Sequence, residues 1–290
     1  MDWRAIGLGV TFALIWSSAF TSARIIVTDA PPFYALAVRF ALSGAIAITW
    51  ARLLGQSWHL TGRQWWAVAV FGLCQNAIYL GLFFAAMRSV EASLAAIIAS
   101  TMPLIAAAIG WGIYADRVNA LGIAGLATGL AGVLVILGAR LTGGADPFGV
   151  FLCIVGVFAL AIATLAVRQT SSDGQVLMIV GLQMFVGAAA LLPVAMLLEV
   201  PEIRFSWPLF WAFSYTLFFP GLIATVVWFT LVNRIGAVRA ATFHFLNPVF
   251  GLLIAAALLG EVVTLQDLAG VAIVTAGILM VQLSRQPRKT

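Results

Sequence analysis

The sequence predicts an all-α integral membrane protein in which ten transmembrane helices form two inverted five-helix repeats. Three observations support this prediction: the composition, the recurrence of long apolar stretches, and an internal repeat. Hydrophobic residues make up 63% of the 290 positions and charged residues 9%, and the mean hydropathy is +1.10. Soluble domains are roughly half apolar and a quarter charged, so this composition favours lipid over water as the surrounding medium.

Apolar stretches long enough to cross a bilayer recur along the whole chain. A spanning helix needs about 20 mostly apolar residues. The first stretch is longer than a signal-peptide core and leads directly into the second, so we expect it to be retained. We place ten spans near residues 4–27, 31–53, 64–87, 91–114, 118–139, 147–168, 175–197, 208–232, 236–259 and 265–283.

The positions of the basic residues predict the orientation. With the N-terminus inside the cell, ten basic residues fall in cytoplasmic segments and four in external ones. Cytoplasmic loops favour Lys and Arg, so both termini are expected in the cytoplasm, in agreement with the even number of spans. The external set is Arg24, Arg88, Arg140 and Arg204, and the cytoplasmic set is Arg4, Arg52, Arg63, Arg117, Arg168, Arg234, Arg239, Arg285, Arg288 and Lys289.

An internal repeat appears when the sequence is shifted against itself by 145 residues. The matched pairs are Pro103 with Pro248, Asp116 with Glu261, Gly125 with Gly270, Gly132 with Gly277, Ala92 with Ala237, and Trp66 with Trp211. Ungapped agreement over several helices favours duplication over chance matching, and we divide the single membrane domain into repeats at 1–145 and 146–290. Each repeat holds five spans, so the second enters the membrane from the opposite side. Inverted repeats of this kind are typical of transporters, whose solute sites lie near the midplane.

Residue counts exclude several chemistries. Lys289 is the only lysine, which excludes a phosphate-binding P-loop and a Schiff-base enzyme. Cys74 and Cys153 lie inside apolar spans, and His59 and His244 are far apart, so we expect no metal site, cofactor or disulfide framework. The net charge of +5 comes from scattered arginines, and we therefore expect no nucleic-acid partner and no catalytic residues.

Sequence motifs in both halves identify a family resemblance. They are FALIWSSAF in span 1, PPFYALAVRF entering span 2, STMP in span 4 followed by YADR, GIAGLATGLAGVLVI in span 5, and LNPVFGLLIAAALLGEVVTLQDLAGVAIVTAGILMV near the C-terminus. Each half resembles the EamA repeat of the drug/metabolite transporter superfamily, and the chain is most similar to the YddG-type amino acid exporters. The resemblance implies a bacterial inner membrane location and a central cavity lined by spans 1–4 and 6–9, with spans 5 and 10 at the periphery.

Polar residues in the middle of spans mark the candidate solute site, because unpaired polar groups in lipid are costly. Span 3 offers Gln75, Asn76 and Tyr79, with Gln75 and Tyr79 one turn apart on a face that Phe83 continues. A hydrogen bond between helices, with no solute involved, explains each of these residues equally well.

Span 9 differs from its counterpart in the first repeat. His244 and Asn247 precede Pro248, whereas the equivalent positions are the apolar Ala99 and Met102. A histidine at this depth either binds a solute carboxylate, relays a proton or simply packs through a hydrogen bond.

Further candidates come from spans 1, 2, 7 and 8. A tryptophan at the midplane is unusual, because tryptophan prefers the membrane interface. An arginine two turns inside span 2 either bonds to backbone carbonyls or recognises a carboxylate. The complete set of predicted solute-binding residues is Trp16, Ser17, Arg39, Gln75, Asn76, Tyr79, Phe83, Gln183, Trp228, Phe243, His244 and Asn247.

Prolines and glycines predict where helices bend and pack. Pro103 and Pro248 are expected to kink gating helices or to form static kinks, and Pro193 and Pro220 are expected to interrupt spans 7 and 8 similarly. The glycines of span 5 predict close helix packing, with a homodimer face as a second interpretation and a monomer equally compatible. They are Gly122, Gly125, Gly129 and Gly132.

The positions of the carboxylates narrow the expected function. All ten fall at span ends or in loops, whereas exporters of organic cations usually place one inside the membrane. The sequence therefore favours an exporter of aromatic or other neutral amino acids, or of similar small metabolites, working by alternating access. A proton-coupled exporter of drugs or amphipathic metabolites is the alternative. A membrane-embedded lipid enzyme is less favoured, because Glu91 with Arg88 and Asp116 with Arg117 read as helix-end charges. The solute, ion coupling, resting conformation and oligomeric state stay open.

Overall fold

The computed structural model describes residues 3–114, 119–167, 174–235, 240 and 242–284. Within these ranges every regular element is a helix and no strand occurs. Nine described helices are long and apolar enough to cross a membrane, and a tenth apolar helix is shorter. We number them spans 1 to 10: Trp3–Asp29, Pro32–Leu53, Gly62–Ala86, Ala92–Gly112, Ala120–Thr142, Pro147–Ala166, Val176–Leu198, Trp207–Trp228, Phe243–Leu259 and Leu265–Ser284.

The predicted ten-helix membrane architecture is confirmed, and the predicted span ends agree with the helix ends to within a few residues for all spans except span 9. Span 9 was predicted over 236–259. Residues 236–239 and 241 lie outside the described part of the chain. The described part of this span begins with the 3₁₀ turn Thr242–Leu246 and continues as the α-helix Asn247–Leu259.

Besides span 6, where Asp146 accepts a hydrogen bond from the N–H of Gly149 at 3.0 Å, four spans begin at a polar side chain that accepts a hydrogen bond from the backbone N–H three residues later. The accepting residues are Thr61, Asn119, Ser206 and Thr264, with distances from 2.9 to 3.3 Å. Such caps satisfy one of the free N–H groups at a helix start. The 145-residue shift carries Thr61 onto Ser206 and Asn119 onto Thr264, so spans 3 and 8, and spans 5 and 10, begin at equivalent positions.

The chain separates into two compact units, and each unit draws on both halves of the sequence. Unit 1 comprises Met1–Thr21, Ser89–Val150 and Ile223–Thr290. Unit 2 comprises Ser22–Arg88 and Phe151–Leu222. Spans 4, 5, 9 and 10 therefore belong to unit 1, spans 2, 3 and 7 belong to unit 2, and spans 1, 6 and 8 contribute to both.

Spans 5 and 10 of unit 1 pack through glycines. A Cβ atom built on Gly125 would lie 2.9 Å from the carbonyl oxygen of Gly277, and one built on Gly132 would lie 3.0 Å from that of Gly270. The 145-residue shift relates these two glycine pairs, because it carries Gly125 onto Gly270 and Gly132 onto Gly277. The prediction of close packing at these glycines is confirmed, but span 10 occupies this face, so it is not free to form a homodimer.

Spans 2 and 7 of unit 2 exchange caps at their ends. The carboxylate of Glu199, just after span 7, accepts hydrogen bonds from the backbone N–H groups of Phe33 and Tyr34, both at 3.0 Å. In return, the side-chain oxygen of Gln56, just after span 2, accepts one from the N–H of Met178 at 3.0 Å. Phe33 and Met178 are equivalent under the 145-residue shift. The start of each of these two spans is therefore capped by a side chain that follows the end of the other span.

Four spans depart from a regular α-helix at equivalent places in the two repeats. Span 3 contains the π-helix Gly72–Tyr79, and span 8 contains the π-helix Phe219–Ile223. Span 4 is interrupted at Thr101, and span 9 begins with a 3₁₀ turn. The sequence analysis treated all four as continuous helices. A π-helical segment widens the turn and is often found at functional sites.

Of the four prolines predicted to kink or interrupt helices, three occupy these irregular places. Pro103 and Pro248 are each the second residue of an α-helix, where a missing N–H costs no hydrogen bond, and Pro220 lies in the π-helix of span 8. Pro193 lies inside the uninterrupted helix Val176–Leu198. The prediction that Pro193 interrupts span 7 is therefore wrong, because the helix continues through it.

Charged side chains join the ends of four spans in unit 1. Arg140, at the end of span 5, donates hydrogen bonds at 2.9 Å to both oxygens of Asp267, which is completely buried, and it also pairs with Glu91. Glu261, after span 9, accepts hydrogen bonds from the first two N–H groups of span 4 at 2.7 and 2.9 Å. These carboxylates are helix-end groups, as the sequence predicted.

Candidate functional site

The polar residues predicted at the centre of span 9 lie where its 3₁₀ turn becomes an α-helix, in unit 1. His244 and Asn247 are both buried, with exposed fractions of 9% and 4%. The amide nitrogen of Asn247 lies 3.0 Å from Nδ1 of His244. Because an amide nitrogen only donates, Nδ1 is the acceptor, and a neutral His244 carries its proton on Nε2.

Two aromatic rings contact this histidine, and a third contacts one of those two. The rings of Phe12 and Trp228 each lie 5.4 Å from the imidazole, and the Phe12 ring meets it edge-on. Phe12 also lies 5.7 Å from Trp16 and 4.8 Å from Trp228. We call Phe12, Trp16, Trp228, His244 and Asn247 the His244 group. Its members come from spans 1, 8 and 9.

The side-chain oxygen of Asn247 has no hydrogen-bond partner among the described residues, although it is buried. Ser17 donates its hydroxyl to the backbone oxygen of Asn247 at 3.3 Å, and so does not satisfy the side chain. A buried acceptor without a partner is unfavourable, and a donor on a bound molecule would relieve that cost. The His244 group therefore combines an apolar aromatic wall with one open acceptor.

Phe12 is the member of the His244 group that the sequence analysis missed. It precedes Trp16 by four residues in span 1 and therefore lies on the same helix face. Extending the face of Trp16 by one turn would have found it.

Phe243 does not join the His244 group, although Trp228 packs against the cluster to which Phe243 belongs. It packs in a hydrophobic cluster with Ala5, Leu231 and Ala240, and its ring fills the space beside Gly9 where a Cβ atom would stand. This side chain is part of the core of unit 1. Neighbouring residues on a 3₁₀ turn point in different directions, which separates it from His244.

The predicted residues of span 3 lie in unit 2, on and just after its π-helix. Asn76 donates its amide to the backbone oxygen of Gln183 in span 7 at 3.0 Å, and Gly187 leaves room for it. The rings of Tyr79 and Phe83 are tilted by 57° with centres 4.6 Å apart, and Phe83 packs beside Gly156. Asn76 thus forms a hydrogen bond between spans 3 and 7. Gln183 accepts this hydrogen bond through its backbone oxygen, not through its side chain.

The remaining two candidates of unit 2 differ in exposure. Gln75 is half-buried. Arg39 has an exposed fraction of 6%, its guanidinium lies 5.1 Å from the ring of Phe40, and its Nε atom has no hydrogen-bond partner among the described residues. This Nε atom therefore makes no hydrogen bond to a backbone carbonyl, which was one of the two interpretations of Arg39.

The described residues contain no group of three or more His, Cys, Asp or Glu side chains that could hold a metal ion. Glu91 pairs with Arg140 rather than with Arg88. Asp116 and Arg117, the other charged pair, lie outside the described part of the chain.

The profile of the EamA-like transporter family matches residues 3–138 and again residues 147–283. The chain belongs to the EamA-like transporter family. Each matched segment contains five of the ten spans, and since five is odd, the second repeat begins on the opposite side of the membrane from the first. This EamA-like protein is thus a multi-pass membrane transporter with two inverted repeats.

Relatives of this EamA-like protein cover nearly the whole chain. The inner membrane transporter YedA of Escherichia coli (strain K12) is 25% identical over 96% of this chain and 90% of its own length. A "probable amino-acid metabolite efflux pump" of Salmonella typhimurium is 25% identical over 98% and 96%. A chloroplastic WAT1-related protein of Arabidopsis thaliana is 22% identical over 92% of this chain, which spans 66% of that longer relative. One crystal structure shares the fold, with a TM-score of 0.70, 22% identity and 98% coverage of both chains.

Proposed function

We propose that this transporter exports neutral amino acids, aromatic ones included, or small metabolites of similar size and polarity, by alternating access. The His244 group, with Ser17 beside it, binds the solute. The observation that carries the proposal is the open acceptor of Asn247, buried beside His244, which in turn contacts the rings of Phe12 and Trp228.

The chemistry of the His244 group suits an amino acid. The ammonium group of the solute donates to the Asn247 oxygen, and an apolar or aromatic solute side chain packs against Phe12, Trp16 and Trp228. The name of the Salmonella relative, which refers to amino-acid metabolites, supports the same class of solute.

The positions of the carboxylates argue for a solute without a net positive charge. In the described spans they lie at helix ends, where Asp267 and Glu91 pair with Arg140 and Glu199 caps span 2. A carrier of cations needs an acidic group that protons and cations compete for inside the membrane. The His244 group offers a neutral acceptor instead.

Alternating access draws support from the repeat and from the irregular helices. Two inverted repeats, 1–145 and 146–290, exchange conformations to open the solute path to either side. The π-helices of spans 3 and 8 and the interruptions of spans 4 and 9 supply the bending points, with Pro103, Pro220 and Pro248 within them. The location we propose is the bacterial inner membrane, where the Escherichia coli relative lies, with both termini in the cytoplasm.

Transport by purified protein in proteoliposomes tests this function. Labelled threonine, methionine or tryptophan is expected to cross without a pH gradient, faster than in protein-free liposomes. Gradient-dependent transport of cationic dyes, with no amino acid transported, would overturn the proposal in favour of a proton-coupled drug exporter.

A further inference from the structure

Two buried hydrogen-bonding side chains in span 2 lack partners within the described structure. Arg39 and Ser43 are one helical turn apart on the same face, with exposed fractions of 6% and 0%. The Nε atom of Arg39 and the Oγ atom of Ser43 have no hydrogen-bond partner among the described residues. Buried polar groups are rarely left in this state, and the exceptions often belong to functional sites.

A glycine in the π-helix of span 8 lies beside both side chains. A Cβ atom built on Gly221 would lie 3.5 Å from Oγ of Ser43 and 3.8 Å from an Nη atom of Arg39. A side chain at this position would therefore contact both Ser43 and the guanidinium of Arg39. All three residues belong to unit 2.

The positive charge of Arg39 has no ion-pair partner within the described structure. Both ion pairs of the described residues involve Arg140, and Arg39 takes part in neither. The ring of Phe40 faces the guanidinium, but a ring does not accept the hydrogen bonds that the planar guanidinium donates. Carboxylates match that planar geometry, because two oxygens accept two parallel N–H bonds.

We propose that Arg39 and Ser43, beside the backbone of Gly221, form a subsite for an organic carboxylate group such as the proposed solutes carry. The guanidinium binds one or both carboxylate oxygens, and the Ser43 hydroxyl donates to one of them. The assignment to the solute rests on the proposed function, whereas binding of a carboxylate does not. It would make this transporter prefer acids over the corresponding amides.

Binding measurements on the purified full-length protein test the subsite without transport. The probes are benzoate, benzamide, chloride and phosphate, and binding of each is measured as the increase in the melting temperature of the protein. Benzoate is expected to stabilise the protein at concentrations at least about tenfold lower than benzamide, as one charge-assisted hydrogen bond predicts. The Arg39→Gln and Gly221→Ala variants are expected to lose that preference.

Gly221→Ala guards against misfolding, because the nearest atom to its new Cβ, the carbonyl oxygen of Thr216, would lie at 3.3 Å, which neighbours can accommodate. Gly138→Ala, with nothing within 4 Å of the added atom, is the matched control and should keep the preference. Arg39-dependent stabilisation by chloride or phosphate alone would overturn the carboxylate subsite, as would an unchanged preference in folded Gly221→Ala protein.

Transport of methionine and methioninamide separates this inference from the proposed function. Arg39-dependent benzoate binding without any amino acid transport would leave the subsite standing and refute the amino acid exporter. Amino acid transport that favours the acid equally in wild type and Arg39→Gln would refute the subsite and leave the exporter standing.

Discussion

The glycine contacts between spans 5 and 10 predict the cost of adding one methyl group to Gly277. A Cβ atom at this position would lie 2.6 Å from the Cα of Gly129 and 2.8 Å from the carbonyl oxygen of Gly125. Both are backbone atoms, so no side-chain rotation relieves the overlap. Spans 5 and 10 must separate by roughly 1 Å for carbon atoms to reach their usual contact distance.

The size of the destabilisation follows from a comparison of the Gly277→Ala and Gly138→Ala variants. Overpacking costs about 1–3 kcal/mol, whereas alanine is favoured over glycine inside a helix by about 1 kcal/mol. Gly138→Ala receives only the helix-propensity gain, because nothing lies within 4 Å of the added atom. The free energy of unfolding of Gly277→Ala should therefore be lower than that of Gly138→Ala by about 1–3 kcal/mol.

Thermal unfolding of both proteins in one detergent, followed by circular dichroism, measures this difference. We expect Gly277→Ala to melt several degrees below Gly138→Ala. Because the 145-residue shift relates Gly132 to Gly277, Gly132→Ala should behave like Gly277→Ala. A Gly277→Ala protein as stable as Gly138→Ala would show that spans 5 and 10 do not approach through their backbones.

Further expected outcomes concern the solute site, the core and the charged ends. His244→Ala should lower amino acid transport at least about tenfold, since the Asn247 amide loses its acceptor. Tyr79→Ala should cost about 3–5 kcal/mol of stability in a melting experiment, as for a buried core aromatic, while Tyr79→Phe stays near wild type. Arg140→Met, which leaves a buried carboxylate unpaired, should cost about 3–5 kcal/mol in the same assay. The Ser89 hydroxyl, and then backbone N–H groups, hold the pKa of Asp146 below its usual range. The ionised Asp146 therefore stabilises the folded protein above the ordinary pKa of an aspartate, and this stabilisation is lost as the pH falls through the lowered pKa of the folded state. In an acid titration, the Ser89→Ala protein should lose this stabilisation at a higher pH than the wild type.

The membrane architecture was predictable from the sequence because span length and composition are local properties. The glycines of span 5 likewise indicated close packing. The glycine pattern did not predict which helix packs against span 5, because the contact of Gly125 with Gly277 depends on how distant segments of the chain pack. The proline signal was equally incomplete: Pro220 lies in a π-helix and Pro193 in a regular helix, although both stand inside apolar spans.

The candidate site was predictable only in part. Midspan polarity singled out His244 and Asn247, and the structure places them with Trp16 and Trp228. The role of Asn76 depends on a backbone oxygen more than a hundred residues away, for which no local pattern exists. The open donors of span 2 also required the structure, because only packing shows which buried groups lack partners.

Counterflow of labelled methionine in proteoliposomes tests the central claim most directly, with the open acceptor of Asn247 as the variable. Loss of one hydrogen bond to an ammonium group corresponds to about 1.5–3 kcal/mol, or at least about tenfold in rate. The control is Thr275→Val, which removes a hydroxyl of unit 1 that is also buried and has no hydrogen-bond partner among the described residues. We expect Asn247→Ala to retain less than about a tenth of the wild-type rate and Thr275→Val to stay close to it. Wild-type counterflow by folded Asn247→Ala would contradict the account.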